Sequence, residues 1–372
     1  MPVQKQGVIG IMEKNTSALI SIAWFAAALL LPSPLYPQEE KEKYLPENER
    51  IFVISQRTDA KTQASRADPR NKFKLEEIPF VIRMPSSWTK EKNEAAAKSK
   101  KPCVRGVIAI CTWDKTLDYL KKNLSYFDSQ HKFLIKFADE NDIAVMTWAN
   151  FGGYSTSTSS DEMTERQLKS YDAMFNDRLS EWEKGFRRIL NKYNLPKNAI
   201  MLYGFSGGAQ IAHRIAFRRP QYFSGIHIHV NSSYDIPTPN AKNIMWLVTT
   251  GELEYGYPAA TRFYQKMIDM GYCVIFKAAE NLGHSINYNI QKLSIEFFKY
   301  MINFVPDQSN PDWKAPPIDK FYLMRHPIYI GDYLNQVAYP TDMALKRVAD
   351  RKYMVALPTK PLAKAWGTII EK

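Results

Sequence analysis

The sequence predicts an α/β protein with a doubly wound, mostly parallel β-sheet, and two observations lead to this fold class. Several apolar runs of strand length contain few polar residues, as in CVRGVIAICTW at positions 103–113. Such runs are typical of strands buried on both faces, as in a parallel sheet covered by helices. Between them lie stretches whose apolar residues recur at helical spacing, such as 177–194. Strands and helices that alternate along the chain indicate the doubly wound architecture.

The elements are predicted in order between residues 49 and 304. Two early strands, ERIFVISQ (49–56) and IPFVIRMPSSW (78–88), are separated by a polar stretch. The other predicted strands are 103–113, 142–150, 198–204, 225–230, 244–250 and 273–279. The predicted helices are 119–140, 177–194, 208–217, 258–270 and 289–304. Two segments are interpreted as loops, namely the Lys-rich run 90–101 and the Ser-, Thr- and Gly-rich stretch 151–161.

The chain is expected to comprise an export segment (1–37), one large domain (45–304) and a C-terminal extension (305–372). With 372 residues, 45% of them hydrophobic, it can bury a sizeable core. The extension is rich in proline and aromatic residues but has no clear period. We therefore interpret it as an appendage packed on the main domain.

The N-terminal segment has the features of a signal peptide. Lys14 precedes the uncharged run ALISIAWFAAALLL (18–31), which is short for a membrane span and suits the core of a signal peptide. Three prolines between positions 32 and 37 would end a helix there. We expect a secreted or periplasmic protein without stable membrane insertion after export, and a retained membrane anchor is the alternative.

The charge of the chain is strongly basic, with 50 Lys and Arg against 38 Asp and Glu and a net charge of +12. Because the basic residues are scattered along the sequence, we favour a solvated basic surface over a nucleic-acid partner. Attraction to acidic polymers or anionic surfaces is compatible with this charge. The oligomeric state is not indicated by the sequence.

The cysteines and histidines do not have the spacing of a metal site. Cys103, Cys111 and Cys273 are interpreted as free and mostly buried thiols. His227 and His229 alternate along a predicted strand and so share one face, which could hint at metal binding. Without a third ligand nearby in sequence, buried and hydrogen-bonded histidines are favoured. We expect neither a metal nor an organic cofactor.

The stretch YGFSGGAQ, at positions 203–210, places a serine in a sharp turn between a strand and a helix. Gly204 and Gly208 bracket Ser206 in the pattern Gly-x-Ser-x-Gly, in which side-chain-free positions permit a tight turn that exposes the serine. A serine hydroxyl is a poor nucleophile until a base and oxyanion donors accompany it. Ser206 is therefore a candidate nucleophile whose partners must be sought later in the chain.

Those partners are expected on loops that follow later strands, first an acid and then a histidine. His284 lies in NLGHS, directly after a predicted strand, where a general base for Ser206 would stand. Glu254 lies in GELEYGYP after the preceding predicted strand and is the favoured acid. Glu252 and Asp235 remain open as alternatives.

These three segments, in this order, resemble the α/β-hydrolase superfamily. The likeness is closest to exported esterases of the polyhydroxybutyrate-depolymerase-like and feruloyl-esterase-like group, in which FVIRMPSSW followed by GVIAICTW also has counterparts. It covers about residues 79–304 and implies Ser206 as nucleophile, His284 as base and Glu254 as acid. Two departures from the group are a Glu where Asp is commoner and Cys111-Thr112 where His-Gly is usual.

The oxyanion donors are expected to be main-chain amides, those of Gly207 and Trp113. The resemblance implies an exported serine hydrolase of carboxylic esters, acting on a small or polymer-linked ester. A serine peptidase of the same fold and a non-catalytic binding module are the alternatives.

Only about a dozen residues separate the sixth and seventh strands, so no cap domain is expected there. Four aromatic residues are predicted near the rim of the site, namely Trp113, Trp148, Tyr154 and Tyr255. For Trp148, packing in the core is an equally good explanation.

Overall fold

The computed structural model of the chain describes residues 50–59, 77–113, 116–126, 129–150, 164–306, 314, 316, 319–348 and 350–371. The predicted export segment and the loop 151–161 lie outside these ranges. The strands are β1 (Ile51–Arg57), β2 (Glu77–Arg83), β3 (Gly106–Cys111), β4 (Ile143–Trp148), β5 (Ile200–Phe205), β6 (Phe223–His229), β7 (Met245–Gly251), β8 (Val274–Ala279), β9 (Tyr329–Asp332), β10 (Val337–Pro340), β11 (Met354–Leu357) and β12 (Thr368–Ile369). The helices are α1 (Lys90–Ser99), α2 (Leu117–Asn123), α3 (Lys132–Glu140), α4 (Glu165–Lys192), α5 (Gly207–Arg218), α6 (Tyr257–Asp269), α7 (Tyr288–Ile302), α8 (Lys320–Arg325), α9 (Thr341–Arg347) and α10 (Lys360–Trp366).

The main sheet has eight strands in the order β1-β2-β4-β3-β5-β6-β7-β8. The β1–β2 and β2–β4 pairs are antiparallel, whereas every pair from β4 through β8 is parallel. This is the α/β-hydrolase fold that the sequence predicts. Every residue of β3, β4, β6 and β7 is buried, which accounts for the apolar runs in β3, β4 and β7. The connection from β6 to β7 holds only a short 3₁₀ helix, Pro239–Asn243, so no lid stands there.

Two local predictions are wrong. The Lys-rich run forms helix α1, because Thr89 caps the first turn by accepting from the Lys92 amide at 3.1 Å and alanines occupy 95–97. The helix predicted over 119–140 is divided into α2 and α3. Ser129 ends the first of them, since its hydroxyl donates to the Asn123 carbonyl at 2.6 Å and so offers the backbone an alternative to the helix.

The C-terminal extension forms a second, four-stranded sheet in the order β11-β9-β10-β12. It packs against the β8 edge of the main domain through buried aromatic residues. The Trp366 indole donates to the Phe276 carbonyl at 2.6 Å, and the Tyr264 hydroxyl donates to the Met354 carbonyl at 2.7 Å. Buried side chains of both sheets belong to one continuous hydrophobic core. Because these strands are two to four residues long, they give the sequence no detectable period.

The three cysteines are buried and unpaired. In the parts of the chain that the structure describes, none of the helices combines the length and apolarity needed to cross a membrane.

Buried neutral histidines predict that the fold loses stability in mild acid. Burial lowers the pKa of His131 and His229 to about 4 and that of His213 to about 3, from an ordinary 6.5. Below pH 6.5 the unfolded chain therefore binds protons that the folded chain does not, so stability falls as the pH falls. We expect a loss of about 1–2 kcal/mol for each such histidine between about pH 6.5 and about pH 5.

Urea unfolding followed by circular dichroism at a series of pH values checks this expectation. A free energy of unfolding that stays constant down to about pH 4, where carboxylates begin to titrate, would contradict it.

Candidate active site

Ser206 occupies the turn between β5 and α5 in a strained backbone conformation. Its φ is 52° and its ψ is −122°, a combination that is unfavourable for a residue with a side chain. The turn is held by the Ser206 amide, which donates to the His229 carbonyl of the adjacent strand at 3.0 Å. The side chain thereby stands at the carboxyl end of the parallel strands, where ligands of such sheets bind.

The glycines around Ser206 are required by close backbone approach. A Cβ atom on Gly204 would lie 2.5 Å from the Gly208 carbonyl oxygen, and one on Gly208 would lie 2.2 Å from the Cys111 carbonyl oxygen. Neither neighbour can give way without moving a strand or a helix end. The first turn of α5 is therefore seated directly against the end of β3.

Substituting Gly208 with alanine should destabilise the fold and displace this turn. The added methyl would overlap main-chain atoms, and overpacking of this kind costs about 1–3 kcal/mol. Gly283→Ala is the matched control, because nothing lies within 4 Å of a Cβ added there. Urea unfolding of the two variants measures the difference. Equal midpoints for both would show that the contact between α5 and β3 does not require glycine.

His284 links Ser206 to a buried carboxylate. Its Nε2 lies 2.8 Å from the Ser206 Oγ, and its Nδ1 lies 3.0 Å from the Glu254 Oε2. The Glu254 side chain is 5% exposed, whereas the imidazole is 30% exposed and so is open to a ligand. The Nδ1–H donates to the carboxylate, and the lone pair of Nε2 accepts from the serine hydroxyl. These are the three residues that the sequence singles out.

The two alternative acids have other surroundings. Asp235 is buried between two arginines, with 3.1 Å to the Arg214 Nε and 2.8 Å to the Arg218 Nη1. The guanidinium groups lower the pKa of Asp235 against the opposing effect of its burial. Glu252 instead lies near Lys277, where its negative charge favours the protonated form of the lysine. Among the described carboxylates, Glu254 is the one that contacts His284.

A hydrogen-bonded chain behind the site fixes the loop that carries His284. The His229 Nε2 lies 2.9 Å from the Ser285 carbonyl, and its Nδ1 lies 2.7 Å from the Thr249 Oγ1. The same Thr249 oxygen lies 2.8 Å from the His227 Nε2, and the His227 Nδ1 lies 2.9 Å from the Ser294 Oγ. Every one of these side chains is fully buried except Ser285, which contributes only its backbone.

Hydrogen-bond directions along this chain follow from the carbonyl at its end. A carbonyl only accepts, so His229 donates from Nε2 and, being neutral, accepts at Nδ1 from the Thr249 hydroxyl. Thr249 then accepts from His227, which in turn accepts from Ser294. Burial lowers the pKa of both histidines, which keeps them neutral. The prediction of buried, hydrogen-bonded histidines is thus in accord with the structure, although the sequence does not reveal Thr249 or Ser294 as their partners.

The two residues predicted to supply the oxyanion donors lie beside each other. Gly207 is the first residue of α5, and the initial amides of a helix have no partner within it. Trp113 follows the end of β3, and a Cβ added to Gly207 would lie 2.6 Å from the Trp113 ring. The Trp113 carbonyl accepts from the buried Asn150 side chain at 3.5 Å, which ties it to the end of β4. No sequence motif singles out Asn150.

The surroundings of the site expose large apolar side chains. Trp113 is 42% exposed and Tyr255 is 75% exposed. Leu253, on the loop that carries Glu254, and Tyr288, at the start of α7 after the His284 loop, are also exposed. Trp148, in contrast, is a core residue that packs on Trp182. Tyr154 lies outside the described residues. His213 is buried, and its Nε2 accepts from the Asp235 amide at 2.9 Å, which is the packing role that its position on α5 indicates.

No metal centre is evident at this site. Within the described ranges, no three or more His, Cys, Asp and Glu side chains are grouped so as to hold a metal ion.

Comparison with solved structures finds hydrolases. A ferulic acid esterase is similar over 68% of this chain and 98% of its own, with a TM-score of 0.41 and 11% identity. S-formylglutathione hydrolase from Staphylococcus aureus is similar over 68% and 96%, with a TM-score of 0.42 and 12% identity. A putative dipeptidyl aminopeptidase IV from Bacteroides ovatus is similar over 68% of this chain but 36% of its own, with a TM-score of 0.43 and 10% identity. No protein-family model and no curated protein sequence matches the chain.

Proposed function

We propose that this protein is an exported serine hydrolase that cleaves carboxylic esters through an acyl-enzyme. The observation that carries the proposal is the continuous arrangement of Ser206, His284 and Glu254, with contacts of 2.8 Å and 3.0 Å. A nucleophile in reach of a base, which is itself oriented by a third group, is the requirement for activating a serine hydroxyl. The open site and the absence of a lid between β6 and β7 favour a bulky or polymer-linked ester.

In the first half-reaction, the Ser206 oxygen attacks the ester carbonyl carbon while His284 Nε2 takes the hydroxyl proton. Glu254 stabilises the imidazolium through the Nδ1–H bond. The amides of Gly207 and Trp113 donate to the oxygen that becomes negative in the tetrahedral intermediate. When the intermediate collapses, the carbon–oxygen bond to the alcohol breaks and His284 returns the proton to the leaving alkoxide.

In the second half-reaction, water replaces the alcohol. His284 accepts a proton from the water as its oxygen attacks the acyl carbon of Ser206. Collapse of the second tetrahedral intermediate breaks the bond to the serine oxygen, which regains a proton from His284, and the carboxylic acid leaves. No charge or atom is left over in this cycle.

The proposal is tested by labelling and by a substrate panel on the same folded protein. We expect a fluorophosphonate to modify Ser206, as located by mass spectrometry of the digested protein. We expect hydrolysis within an ester panel that runs from short acyl esters to hydroxycinnamoyl and acetylated-sugar esters. Matched aminoacyl amides should be cleaved more slowly.

Three results would overturn it. Faster cleavage of the amides would favour a peptidase. Unlabelled Ser206 in folded protein, together with an inert panel, would favour a binding module. Retention of residues 1–37 in protein recovered from cells would contradict export by signal cleavage.

A further inference from the structure

A second concave site lies where the C-terminal extension meets the main domain. It is a groove of about 930 Å³ between the end of β8, the start of α7 and the segment formed by α10 and β12. Its lining includes four lysines, Lys277, Lys292, Lys360 and Lys364, which define what we call the lysine groove. A volume of this size is in the range of ligand sites. None of the three proposed catalytic side chains lines it.

The lysine groove carries an excess of positive charge. Glu371 neutralises Lys360 at 2.5 Å, but the other three lysines form no ion pair with a described residue. The second carboxylate of the lining is Glu280, so the lining holds four lysines against two glutamates. Like charges gathered in one concavity raise the local concentration of anions. The groove is therefore suited to a negatively charged ligand.

Lys277 is the most desolvated of these lysines. Its Nζ lies 4.8 Å from the centroid of the Trp366 ring, and the ring is itself fixed by its hydrogen bond to the Phe276 carbonyl. Burial lowers the pKa of Lys277 to about 8. Glu252 and Glu280 lie near this ammonium without forming an ion pair with it. A partly desolvated ammonium on an aromatic face gains more from a bound anion than a fully hydrated one does. The base of the groove thus provides an anchoring point for an anion.

The remaining lining distinguishes between classes of anionic ligand. Asn281 and Asn289 contribute exposed amide groups. Amides pair well with hydroxyl groups, which donate and accept. The lining contains no arginine, and its tryptophan is only 1% exposed, so it offers neither the guanidinium fork nor the stacking surface that nucleic acids favour. The combination suits a hydroxyl-rich polymer that bears carboxylates.

We propose that the lysine groove binds a stretch of acidic polysaccharide, with Lys277 and its neighbouring lysines on the carboxylates and the amides on the hydroxyl groups. Asn281 and Asn287, at either end of the His284 loop, form one wall of the groove. A bound polymer would therefore lie against the loop that carries the proposed base. The binding itself does not depend on hydrolysis at Ser206.

Calorimetric titration of the full chain with oligogalacturonate tests the proposal. Lys292 and Lys364 are exposed, so the double variant K292Q/K364Q should fold normally and bind at least about tenfold more weakly. The matched control K98Q/K101Q removes two exposed lysines from the Lys-rich run 90–101, outside the groove, and should bind as the wild type does. Raising salt from about 50 to about 500 mM should weaken binding to the wild type. The Ser206→Ala protein should bind with unchanged affinity, which separates this site from the proposed catalysis.

Several outcomes would overturn the proposal. Equal affinity for a neutral glucan oligomer of the same length would remove the role of charge. Equal weakening in K98Q/K101Q would point to diffuse surface attraction rather than a groove. Tighter binding of oligothymidylate, lost in K292Q/K364Q, would assign the groove to nucleic acid.

One outcome separates this proposal from the proposed function. If ester hydrolysis is absent but oligogalacturonate binding is lost in K292Q/K364Q alone, the groove stands and the proposed function fails.

Discussion

Replacing Ser206 with alanine should lower kcat/KM for ester hydrolysis by about 10⁴-fold or more while the fold is retained. The Oγ is the atom in contact with His284 Nε2 at 2.8 Å, and without it no acyl-enzyme forms. Alanine keeps the Cβ and so fits the backbone turn at φ 52°. Residual activity from oxyanion donors and binding alone would be small. Initial rates on the best ester of the panel measure the loss.

Ser224→Ala is the matched control for this variant. Ser224 is a buried serine near the start of β6, and its hydroxyl donates to the Ile200 carbonyl at 3.2 Å. Its loss should cost about 1 kcal/mol of stability and leave kcat/KM within about twofold of wild type. A Ser206→Ala protein that hydrolyses the ester as fast as Ser224→Ala does would exclude Ser206 as the nucleophile.

The sequence brings Ser206, His284 and Glu254 together because their order along the chain follows the order of the strands in the sheet. A parallel sheet places the loops that follow its strands at one edge, so residues that follow β5, β7 and β8 meet there. Ser206 and His284 are in contact although 78 positions separate them. The Gly-x-Ser-x-Gly pattern reflects local contacts, since the atoms that exclude a side chain at Gly204 and Gly208 lie within a few residues or in the adjacent strand. Order along the chain is therefore sufficient to assign the three residues to one site.

What the sequence does not predict depends on packing between distant elements. Thr249 and Ser294 have ordinary positions on β7 and α7, and only their contacts with His227 reveal a role. The lysine groove likewise joins α10 to β8, two elements that are far apart in sequence. The strands of the extension are too short to show alternation. Such features need the three-dimensional arrangement because no local pattern encodes them.

Changing Glu254 to glutamine should lower kcat by about 10²- to 10⁴-fold with little change in KM. The amide has the same shape, so the 3.0 Å contact with His284 Nδ1 can persist, but it carries no charge to stabilise the imidazolium. Its NH₂ group can also donate to Nδ1, which places the proton on Nε2 and prevents that nitrogen from accepting from Ser206. The loop should stay in place, because His229 holds the Ser285 carbonyl and the Leu253 amide donates to the Leu282 carbonyl at 2.9 Å.

Two matched variants decide which carboxylate acts on the imidazole. Glu252→Gln should leave kcat near the wild-type value, since that side chain is not a partner of His284. Asp235→Asn should cost about 3–5 kcal/mol of stability, because it removes the counter-charge that Asp235 provides to the buried Arg214 and leaves Arg218 with Asp172, yet the fraction that remains folded should turn over normally. Measuring kcat per folded molecule, with urea unfolding of each variant, separates the two effects. A normal kcat in Glu254→Gln with a large loss in Glu252→Gln would transfer the orienting role to Glu252, which would require the loop after β7 to rearrange when substrate binds.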